Sequence, residues 1–383
     1  MKLRKVKMSK RIIISGGGPG GHIFPAISIA NALKEKDPSI EILFVGAIGK
    51  MEMERVPAAG YPIKGLPVAG LKRSLALSNL ALPFKVIKSV RMAGKIIREF
   101  KPDVVVGVGG YASAPLLWSA SRMGIPTLIQ EQNSYAGLTN KILSKRAKTI
   151  CTAYEGMERF FPKDKIILTG NPIRKEIAPA TASQKEEAYK FFGLNPELPT
   201  VLVVGGSLGC GTLNRTMKSW IAAGNGSQFQ VIWQSGKGYA AGIQSFFEGL
   251  EGSEFGENTR RWGNILNCDF ISRMDLAYAA CDLIVSRAGA GTISELCAAG
   301  KAPIFVPSPV VAEDHQTHNA MALVNKGAAI LIKDGEAEEK LMGEVEKIVF
   351  DREKITELEK NILALAKPNA SSDIADEVLK LAK

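Results

Sequence analysis

The residues best suited to chemistry in this sequence follow apolar runs that stop at glycines. Arg11 to Ser15 runs into Gly16-Gly-Gly-Pro-Gly-Gly21 and His22, and Val201 to Val204 runs into Gly205-Gly-Ser-Leu-Gly-Cys-Gly211. Glycines let the backbone turn sharply and approach a ligand, and a helix that starts after such a turn can face an anion. Imidazole titrates near neutral pH, so His22 is a candidate general base or a phosphate or hydroxyl contact; helix capping or packing is the alternative.

The first glycine run also satisfies the G-x-G-x-x-G pattern of dinucleotide-binding proteins. That interpretation requires an acidic residue about 20 positions further on, at the end of the second strand. The second strand instead ends in Phe44-Val-Gly-Ala47, without a carboxylate. The pattern therefore favours a tight turn for another ligand over NAD or FAD, and no cofactor is expected.

The segment Ser286-Arg-Ala-Gly-Ala-Gly-Thr-Ile-Ser-Glu295 combines a strand end, two glycines and a helix start. Thr292 and Glu295 have the spacing of a capping box, in which both side chains bind backbone at the start of the helix. The same loop amides and helix start also suit a diphosphate, with Glu295 placed to bind ribose hydroxyls. Both interpretations compete for the Glu295 oxygens, and the sequence leaves both open.

Two further polar clusters are interpreted as ligand contacts. Glu313-Asp-His-Gln-Thr-His-Asn319 places His315 and His318 three positions apart, and Gln130-Glu-Gln-Asn133 ends a strand. A metal site would require further ligands and an open coordination position, so hydrogen bonds to sugar hydroxyls are the preferred interpretation and no metal is expected.

A basic helix follows a leucine-rich stretch. Leu75, Leu77, Leu80, Leu82 and Phe84 precede Lys85, Lys88, Arg91, Lys95 and Arg98, whose spacings of 3, 3, 4 and 3 put the cations on one helix face. A solvated helix face is one interpretation. A patch that binds an anionic membrane surface is the other.

Composition limits the class of protein. The chain has 383 residues, a length that favours two domains. Its net charge of +11 favours a polyanionic partner. Neither zinc-finger spacing nor an aromatic RNA-binding signature is present, which argues against nucleic acid. The five cysteines are scattered without a C-x-x-C pair, as in a reduced cytosolic protein. Neither a signal peptide nor an apolar run of the ~20 residues that span a bilayer is visible.

Apolar runs alternate with helical stretches, which predicts an α/β fold with a doubly wound parallel sheet in each of two domains. The predicted strands are 11–15, 41–45, 103–108, 126–130, 166–169, 200–204, 229–233, 282–286, 303–306 and 328–332. The predicted helices include Pro25–Glu35, Phe84–Phe100, Asn214–Ala222 and Thr292–Ala299. We expect an amino-terminal domain of residues 1–172 and a carboxy-terminal domain of residues 173–367 that face a central cleft, with 368–383 as a candidate to pack back on the first domain.

Seven motifs follow one another along the chain: Gly17-Gly-Pro-Gly-Gly-His-Ile-Phe-Pro25, Gly109-Gly-Tyr-Ala-Ser-Ala-Pro115, Glu131-Gln-Asn133, Gly170-Asn-Pro-Ile-Arg174, Gly205-Gly-Ser-Leu-Gly209, Ser286 through Glu295, and Asp314-His-Gln316 with Asn319. Together, and in this order, they resemble the motifs of the family of bacterial N-acetylglucosaminyltransferases that convert lipid I to lipid II in peptidoglycan synthesis. The resemblance implies the two-domain GT-B fold. It also implies an inverting, metal-independent transfer of GlcNAc from UDP-GlcNAc to a polyprenyl-diphosphate-linked muramyl peptide.

The resemblance also implies roles for residues that match the family motifs. Those implied to hold the donor are Pro19, Gly20, Gly21, Asn133, Arg174, Ser207, the Ile271 backbone, Ala290, Gly291, Thr292, Ile293, Ser294, Glu295 and Gln316. Gly18, Tyr111 and Glu131 would face the acceptor, with His22 as the catalytic residue. The sequence departs from the pattern in two loops: Pro19 replaces the usual Thr in the first, and Cys210-Gly211 replaces Ala-Arg in the second.

The partners implied are UDP-GlcNAc, lipid I, an anionic membrane surface and other cell-wall synthesis proteins, with the chain peripheral on the cytoplasmic face of the bacterial plasma membrane. Two alternatives remain at this point. One is another GT-B enzyme that uses UDP-GlcNAc, such as a 2-epimerase or a different glycosyltransferase. The other is a non-catalytic, nucleotide-binding peripheral membrane module.

Overall fold

The computed structural model describes residues 9–17, 20–68, 82–110, 112–224, 226 and 228–382. The chain divides into two compact units, Met1–Ile173 with Pro368–Lys383, and Arg174–Lys367. Each unit contains a sheet flanked by helices. No helix in the described part of the chain combines the length and the hydropathy of a membrane-spanning segment.

The described part of the first unit contains a seven-stranded sheet of order β3-β2-β1-β4-β5-β6-β7, in which every strand pair is parallel. Its strands are β1 Arg11–Ser15, β2 Glu41–Ala47, β3 Ile63–Leu66, β4 Val104–Gly107, β5 Thr127–Glu131, β6 Thr149–Thr152 and β7 Ile166–Leu168. Its helices are α1 Gly20–Lys36, α2 Glu52–Ala58, α3 Leu82–Phe100, α4 Ser113–Arg122, α5 Leu138–Ser144 and, from the end of the chain, α14 Ala370–Leu381.

Burial on both faces explains the uninterrupted apolar strands of this sheet. Ile12 and Ile14 pack into a core that includes residues of α1 and α14, whereas Ile13 packs into a second core with residues of α3 and α4. Successive side chains of a strand point to opposite faces of the sheet. A strand that is covered on both faces therefore has an uninterrupted apolar run.

The described part of the second unit contains an eight-stranded sheet of order β10-β11-β12-β9-β8-β13-β14-β15. Its strands are β8 Thr200–Val204, β9 Gln230–Gln234, β10 Glu254–Phe255, β11 Thr259–Trp262, β12 Ile265–Cys268, β13 Leu283–Ser286, β14 Ala302–Phe305 and β15 Ile330–Leu331. Its helices are α6 Ala182–Phe192, α7 Gly211–Ala222, α8 Ala240–Glu248, α9 Met274–Ala280, α10 Ala290–Ala299, α11 His315–Val324, α12 Ala337–Val349 and α13 Arg352–Leu363. The pairs of β11 with β10 and β12 are antiparallel, and the other pairs are parallel.

The structure confirms the predicted fold class and corrects several element bounds. The first helix begins at Gly20 and not at Pro25, which lies inside it; glycine and proline are poor helix formers, so propensity hid this start. Strands β3, β6 and the antiparallel β10–β12 extension were missed. In β11 the sequence Thr-Arg-Arg-Trp lacks the apolar run by which the other strands were recognised.

Candidate functional site

The loops after β1 and β4 pack backbone against backbone at the carboxyl edge of the first sheet. A Cβ atom on Gly110 would lie 2.0 Å from the Gly17 carbonyl oxygen, and one on Gly109 would lie 2.8 Å from the ring of His22. Both glycines have positive φ, 103° and 85° for Gly109 and Gly110 respectively. Only glycine satisfies both requirements, so this contact fixes where the first glycine loop and His22 lie.

His22 is the third residue of α1 and is half-buried against Gly109. Gly20 and Gly21 are the first two residues of the same helix. The predicted contacts Gly18, Pro19 and Tyr111 lie outside the described residues. The structure thus places His22 at the amino terminus of a helix, beside the end of strand β4.

Glu131, at the end of β5, is almost fully buried and holds the loop that follows it. Its Oε1 accepts hydrogen bonds from the backbone N–H and the side-chain Nδ2 of Asn133, at 3.1 and 3.4 Å. Its Oε2 accepts from the Gly137 N–H at 3.1 Å and from Asn140 Nδ2 at 2.8 Å. A carboxylate offers about four acceptor positions, so these four bonds occupy Glu131 fully.

A buried amide chain ties the end of the first unit to the same sheet edge. Gln130 Nε2 donates to Asn171 Oδ1 at 2.8 Å, and Asn171 Nδ2 donates to the Gln132 carbonyl at 3.0 Å. Gln132 Nε2 in turn donates to the Val108 carbonyl at 3.0 Å. The Gly-Asn-Pro turn is thereby anchored to β5 and to the loop after β4.

The second glycine loop, after β8, packs against the loop after β9. A Cβ atom on Gly209 would lie 2.0 Å from the Ser235 carbonyl oxygen, and one on Gly236 would lie 2.4 Å from that of Leu208. Ser207 is exposed at the tip of this loop. Cys210, one of the departures from the family pattern, is buried and caps α7 through a Leu213 N–H···Sγ contact of 3.4 Å.

Gln234, which sequence reasoning missed, joins this glycine loop to Ile271. Its Nε2 donates to the Gly206 carbonyl at 2.8 Å, and its Oε1 accepts from the Ile271 N–H at 3.1 Å. A cavity of about 560 Å³ begins beside Ile271 and is also lined by Phe191, Phe255 and Phe270. This volume lies within the range of small-molecule sites.

Of the two interpretations of Thr292 and Glu295, the capping box is excluded. Helix α10 begins at Ala290, its N-cap residue is Gly289 and no side chain caps it. The first turn and a half of the helix therefore consists of Ala290, Gly291, Thr292, Ile293, Ser294 and Glu295. Ile293 is buried in the core, so only its backbone is available to a ligand.

Glu295 instead forms a bidentate ion pair with Arg174. Arg174 Nε donates to Oε1 at 2.8 Å, and Arg174 Nη2 donates to Oε2 at 2.9 Å. Burial alone would lower the pKa of the Arg174 guanidinium, but the hydrogen bonds and charge of Glu295 raise it above its usual value. A guanidinium has five N–H donors. Arg174 therefore keeps donors for a second anion while paired with Glu295.

Tyr278, which sequence reasoning also did not identify, completes this cluster. Its hydroxyl donates to Glu295 Oε2 at 3.0 Å, and only 3% of the residue is exposed. Burial, followed by the charge of Glu295, raises the pKa of the phenol well above its usual value. The hydroxyl is consequently a permanent donor to the carboxylate at neutral pH.

Arg287 and Asp334 connect four chain segments at this edge of the second sheet. Arg287 Nη1 lies 2.5 Å from Asp334 Oδ1 and donates to the carbonyls of Val306 and Pro307 at 2.8 and 3.0 Å. Asp334 Oδ2 accepts from Thr212 Oγ1, at the start of α7, at 3.1 Å. Asp334 lies in Lys-Asp-Gly-Glu, which carries no motif signal, so spatial contact alone identifies it.

The last polar cluster lies at the start of α11. Gln316 Oε1 accepts from the Ser308 N–H at 2.8 Å, which leaves its Nε2 for a ligand or another contact. Glu313 and Asp314, just before it, both have positive φ, 54° and 48°, a conformation that costs non-glycine residues free energy and clusters at functional sites. Among the described residues, no group of three or more His, Cys, Asp or Glu side chains could hold a metal ion.

Comparisons with known proteins agree with the two-unit α/β fold. Residues 12–152 match the Glycosyltransferase family 28 N-terminal domain and residues 200–378 match the corresponding C-terminal domain. A UDP-N-acetylglucosamine--N-acetylmuramyl-(pentapeptide) pyrophosphoryl-undecaprenol N-acetylglucosamine transferase of Parabacteroides distasonis is 54% identical over 97% of this chain and 98% of its own. The protein of the same name from Flavobacterium psychrophilum is 49% identical, with 97% of each chain covered.

Solved structures give the same result. A crystal structure of MurG from Acinetobacter baumannii superposes with a TM-score of 0.77 at 28% identity, covering 97% of this chain and 99% of that one. A UDP-GlcNAc 2-epimerase from Neisseria meningitidis, at 14% identity and a TM-score of 0.64, shares the fold alone. The chain therefore belongs to glycosyltransferase family 28, within the group of the UDP-N-acetylglucosamine--N-acetylmuramyl-(pentapeptide) pyrophosphoryl-undecaprenol N-acetylglucosamine transferases.

Proposed function

We propose that this protein transfers GlcNAc from UDP-GlcNAc to the muramyl sugar of lipid I and so forms lipid II in peptidoglycan synthesis. The observation that carries the proposal is identity of 54% with a transferase named for this reaction, over 97% of the chain. Within the site, the pairing of glycine loops with a charged cluster at the start of α10 supports a sugar-nucleotide donor.

The donor is proposed to bind the second unit. Its diphosphate would lie at the amino terminus of α10, where unpaired N–H groups and the helix dipole favour an anion. Arg174 would contribute its remaining donors to the charge that develops on the leaving UDP. The uridine would lie between the Ile271 backbone and Glu295, with Ser207 and Gln316 at the phosphate and sugar. No metal is required.

The acceptor is proposed to bind the first unit beside His22. An acceptor hydroxyl attacks the anomeric carbon as the bond to UDP breaks, and the hydroxyl proton passes to a base. His22 is the candidate base or orienting group. Because all acceptor positions of Glu131 are occupied by its own loop, we propose that Glu131 fixes Asn133 and the start of α5 and does not itself take the proton.

Helix α3 is proposed to bind an anionic membrane surface and so to bring the protein to its lipid-linked acceptor. In the described part of α3, Lys85, Val86, Ile87 and Lys88 are consecutive and exposed, with about half of each aliphatic side chain accessible. Leu75, Leu77 and Leu80 lie outside the described residues, as do the side chains of Leu82 and Phe84. Cations beside exposed aliphatic groups are typical of a surface that binds anionic lipid.

Helix α5 presents a second exposed aliphatic and basic stripe in the same unit. Leu138 and Ile142 are 63% and 56% exposed. Half-buried Lys141 and the C-cap residue Lys145 complete the i, i+3, i+4 and i+7 spacing. Since Glu131 binds both Gly137 and Asn140, this stripe is attached directly to the proposed acceptor site.

The test is transfer of labelled GlcNAc from UDP-GlcNAc to a lipid I analogue, in EDTA, with UDP release measured in parallel. The proposal predicts one UDP released for each GlcNAc transferred. A 2-epimerase would alter UDP-GlcNAc without lipid I, and a non-catalytic module would bind UDP without turnover. Either outcome would refute the proposal, and transfer that depends on added Mg²⁺ would refute its metal-independent form.

A further inference from the structure

A buried carboxylate lies against the first glycine loop, at the end of strand β2. Glu52 is the first residue of α2 and is fully buried. Its Oε1 accepts a hydrogen bond at 2.9 Å from the N–H of Ala47, the last residue of β2. In dinucleotide-binding proteins an acidic side chain at the end of the second strand binds a ribose. Here the carboxylate is turned onto the backbone of the preceding strand, and its burial makes it inaccessible to a ligand.

Gly17 packs against both Glu52 and the loop after β4. A Cβ atom on Gly17 would lie 2.2 Å from Glu52 Oε1 and 2.9 Å from Glu52 Cδ. The carbonyl oxygen of Gly17 would in turn lie 2.0 Å from a Cβ atom on Gly110. Gly17 therefore contacts Glu52 through its Cα atom and Gly110 through its carbonyl group. Because such interiors are close-packed, neither neighbour can be removed without room for the loop to move.

The same contacts extend to His22. Gly109, the neighbour of Gly110, lies so close to the imidazole that an added Cβ atom would be 2.8 Å from both Cε1 and Nδ1 of His22. His22 is also only five positions after Gly17 in the chain. A shift of Gly17 into space vacated by Glu52 would therefore alter both the loop that leads into His22 and the contact that supports its ring.

We propose that Glu52 is a positioning residue for the acceptor reaction, because its fit against Gly17 and its hydrogen bond to Ala47 hold the first glycine loop and His22 in place. The proposal rests on the proposed function, in which His22 acts on the acceptor hydroxyl. Glu52 itself, being buried, touches neither substrate. A displacement of about 1 Å can lower a rate about a hundredfold. UDP, which is proposed to bind the second unit, should be unaffected.

The experiment measures kcat and the KM for a lipid I analogue, together with the dissociation constant of UDP, at a temperature where each variant is folded. Glu52→Ala should lower kcat/KM about 10- to 100-fold and leave UDP binding unchanged. Glu52→Gln keeps the length of the side chain and an oxygen for the Ala47 N–H, so it should stay within about threefold of the wild-type kcat/KM.

The matched control is Asp103→Ala, at the opposite edge of the same sheet. Asp103 Oδ2 accepts a hydrogen bond at 2.7 Å from the N–H of Arg11, the first residue of β1. Its loss should lower the thermal midpoint and change neither kcat nor KM. Wild-type kinetics in folded Glu52→Ala overturns the proposal, as does a loss in Glu52→Gln equal to that in Glu52→Ala. A wild type that transfers no GlcNAc overturns the proposed function instead.

A second arm tests whether Glu52 acts through Gly17. The three atoms nearest to a Cβ atom on Gly17 all belong to Glu52, the third at 3.5 Å. Gly17→Ala alone should therefore lower kcat/KM about tenfold or more. In the Glu52→Ala background the same change should cost less than about threefold, because the methyl group enters vacated space. Losses that simply add in the double variant would show that Glu52 does not act through Gly17 and would overturn the proposal.

Discussion

The carboxyl edges of the two sheets share a scaffold but use their acidic residues differently. In both units, glycine loops from neighbouring strands pack so closely that a Cβ atom at Gly110 or at Gly209 would lie 2.0 Å from a carbonyl oxygen. In the first unit, Glu131 accepts four hydrogen bonds from the segment that follows it. Glu295 is held by partners distant in sequence and keeps one acceptor position.

Under the proposed function, this difference lets one architecture form two kinds of substrate site. The rigid glycine contacts position the loops in each unit, and the surrounding side chains decide whether a carboxylate braces the loop or meets a ligand. On this account the first unit supplies a braced platform around His22, and the second supplies a charged cluster with open hydrogen-bonding positions.

The largest effect is expected at His22. Replacement by Ala should lower turnover on saturating lipid I analogue by on the order of 10²–10⁴-fold, the usual contribution of a general acid or base. The measurement is the initial rate of GlcNAc transfer, with the thermal midpoint as a control for folding. Near-normal turnover of the folded variant would exclude a catalytic role for this imidazole.

The next largest effect is expected from Gly110→Ala in the braced platform. The added Cβ atom meets both a positive φ and the Gly17 carbonyl, so the free energy of unfolding should fall by about 2–6 kcal/mol. Gly124→Ala is the matched control, because Gly124 also has a positive φ, 77°, but nothing lies within 4 Å of an added Cβ atom. It should cost only about 1–2 kcal/mol. Equal losses in denaturant titrations would show that the close packing is unimportant.

Charge reversal on α3 tests whether the first unit faces the membrane. Lys85/Lys88/Lys95→Glu should weaken binding to anionic vesicles about a hundredfold, because each lysine contributes about 1 kcal/mol. The difference from the wild type should be smaller at high salt, because salt screens these charges. The control, Lys340/Lys347/Lys354→Glu, makes the same change in net charge on α12 and α13 of the second unit. If co-sedimentation falls equally in both variants, net charge and not this surface determines binding.

The smallest effect is expected at the loop contacts of the second unit. Asp334→Asn keeps the shape of the side chain but weakens its contact with Arg287, and should lower the free energy of unfolding by about 1–3 kcal/mol. Glu338→Gln breaks the exposed pair with Arg215 and should cost at most about 1 kcal/mol. Indistinguishable thermal midpoints would refute a special role for Asp334 in joining the loops.

Sequence reasoning succeeded where the signal is local. The strands Arg11–Ser15 and Thr200–Val204 were predicted with their observed bounds, because burial on both faces requires an uninterrupted apolar run. The short strand Ile63–Leu66 was missed because its Ile-Lys-Gly-Leu sequence carries no such run.

The side-chain partners could not be read from local sequence. The sequence could not decide between a capping box and a ligand contact at Glu295, and the structure excludes the capping box because α10 begins at Ala290, which places Glu295 too deep in the helix for that role. Its actual partner Arg174 is 121 positions away, and Tyr278 belongs to no recognised motif. Such contacts arise from the order of strands in the sheet, and spacing along the chain does not encode them.

The division between the units is tested most directly by titrating UDP into His22→Ala and Glu295→Ala under identical conditions. We predict that His22→Ala binds UDP with the wild-type dissociation constant. Glu295→Ala should bind about 10- to 150-fold more weakly, since a hydrogen bond to a charged group contributes roughly 1.5–3 kcal/mol. Wild-type affinity in Glu295→Ala, or an equal loss in both variants, would contradict the account.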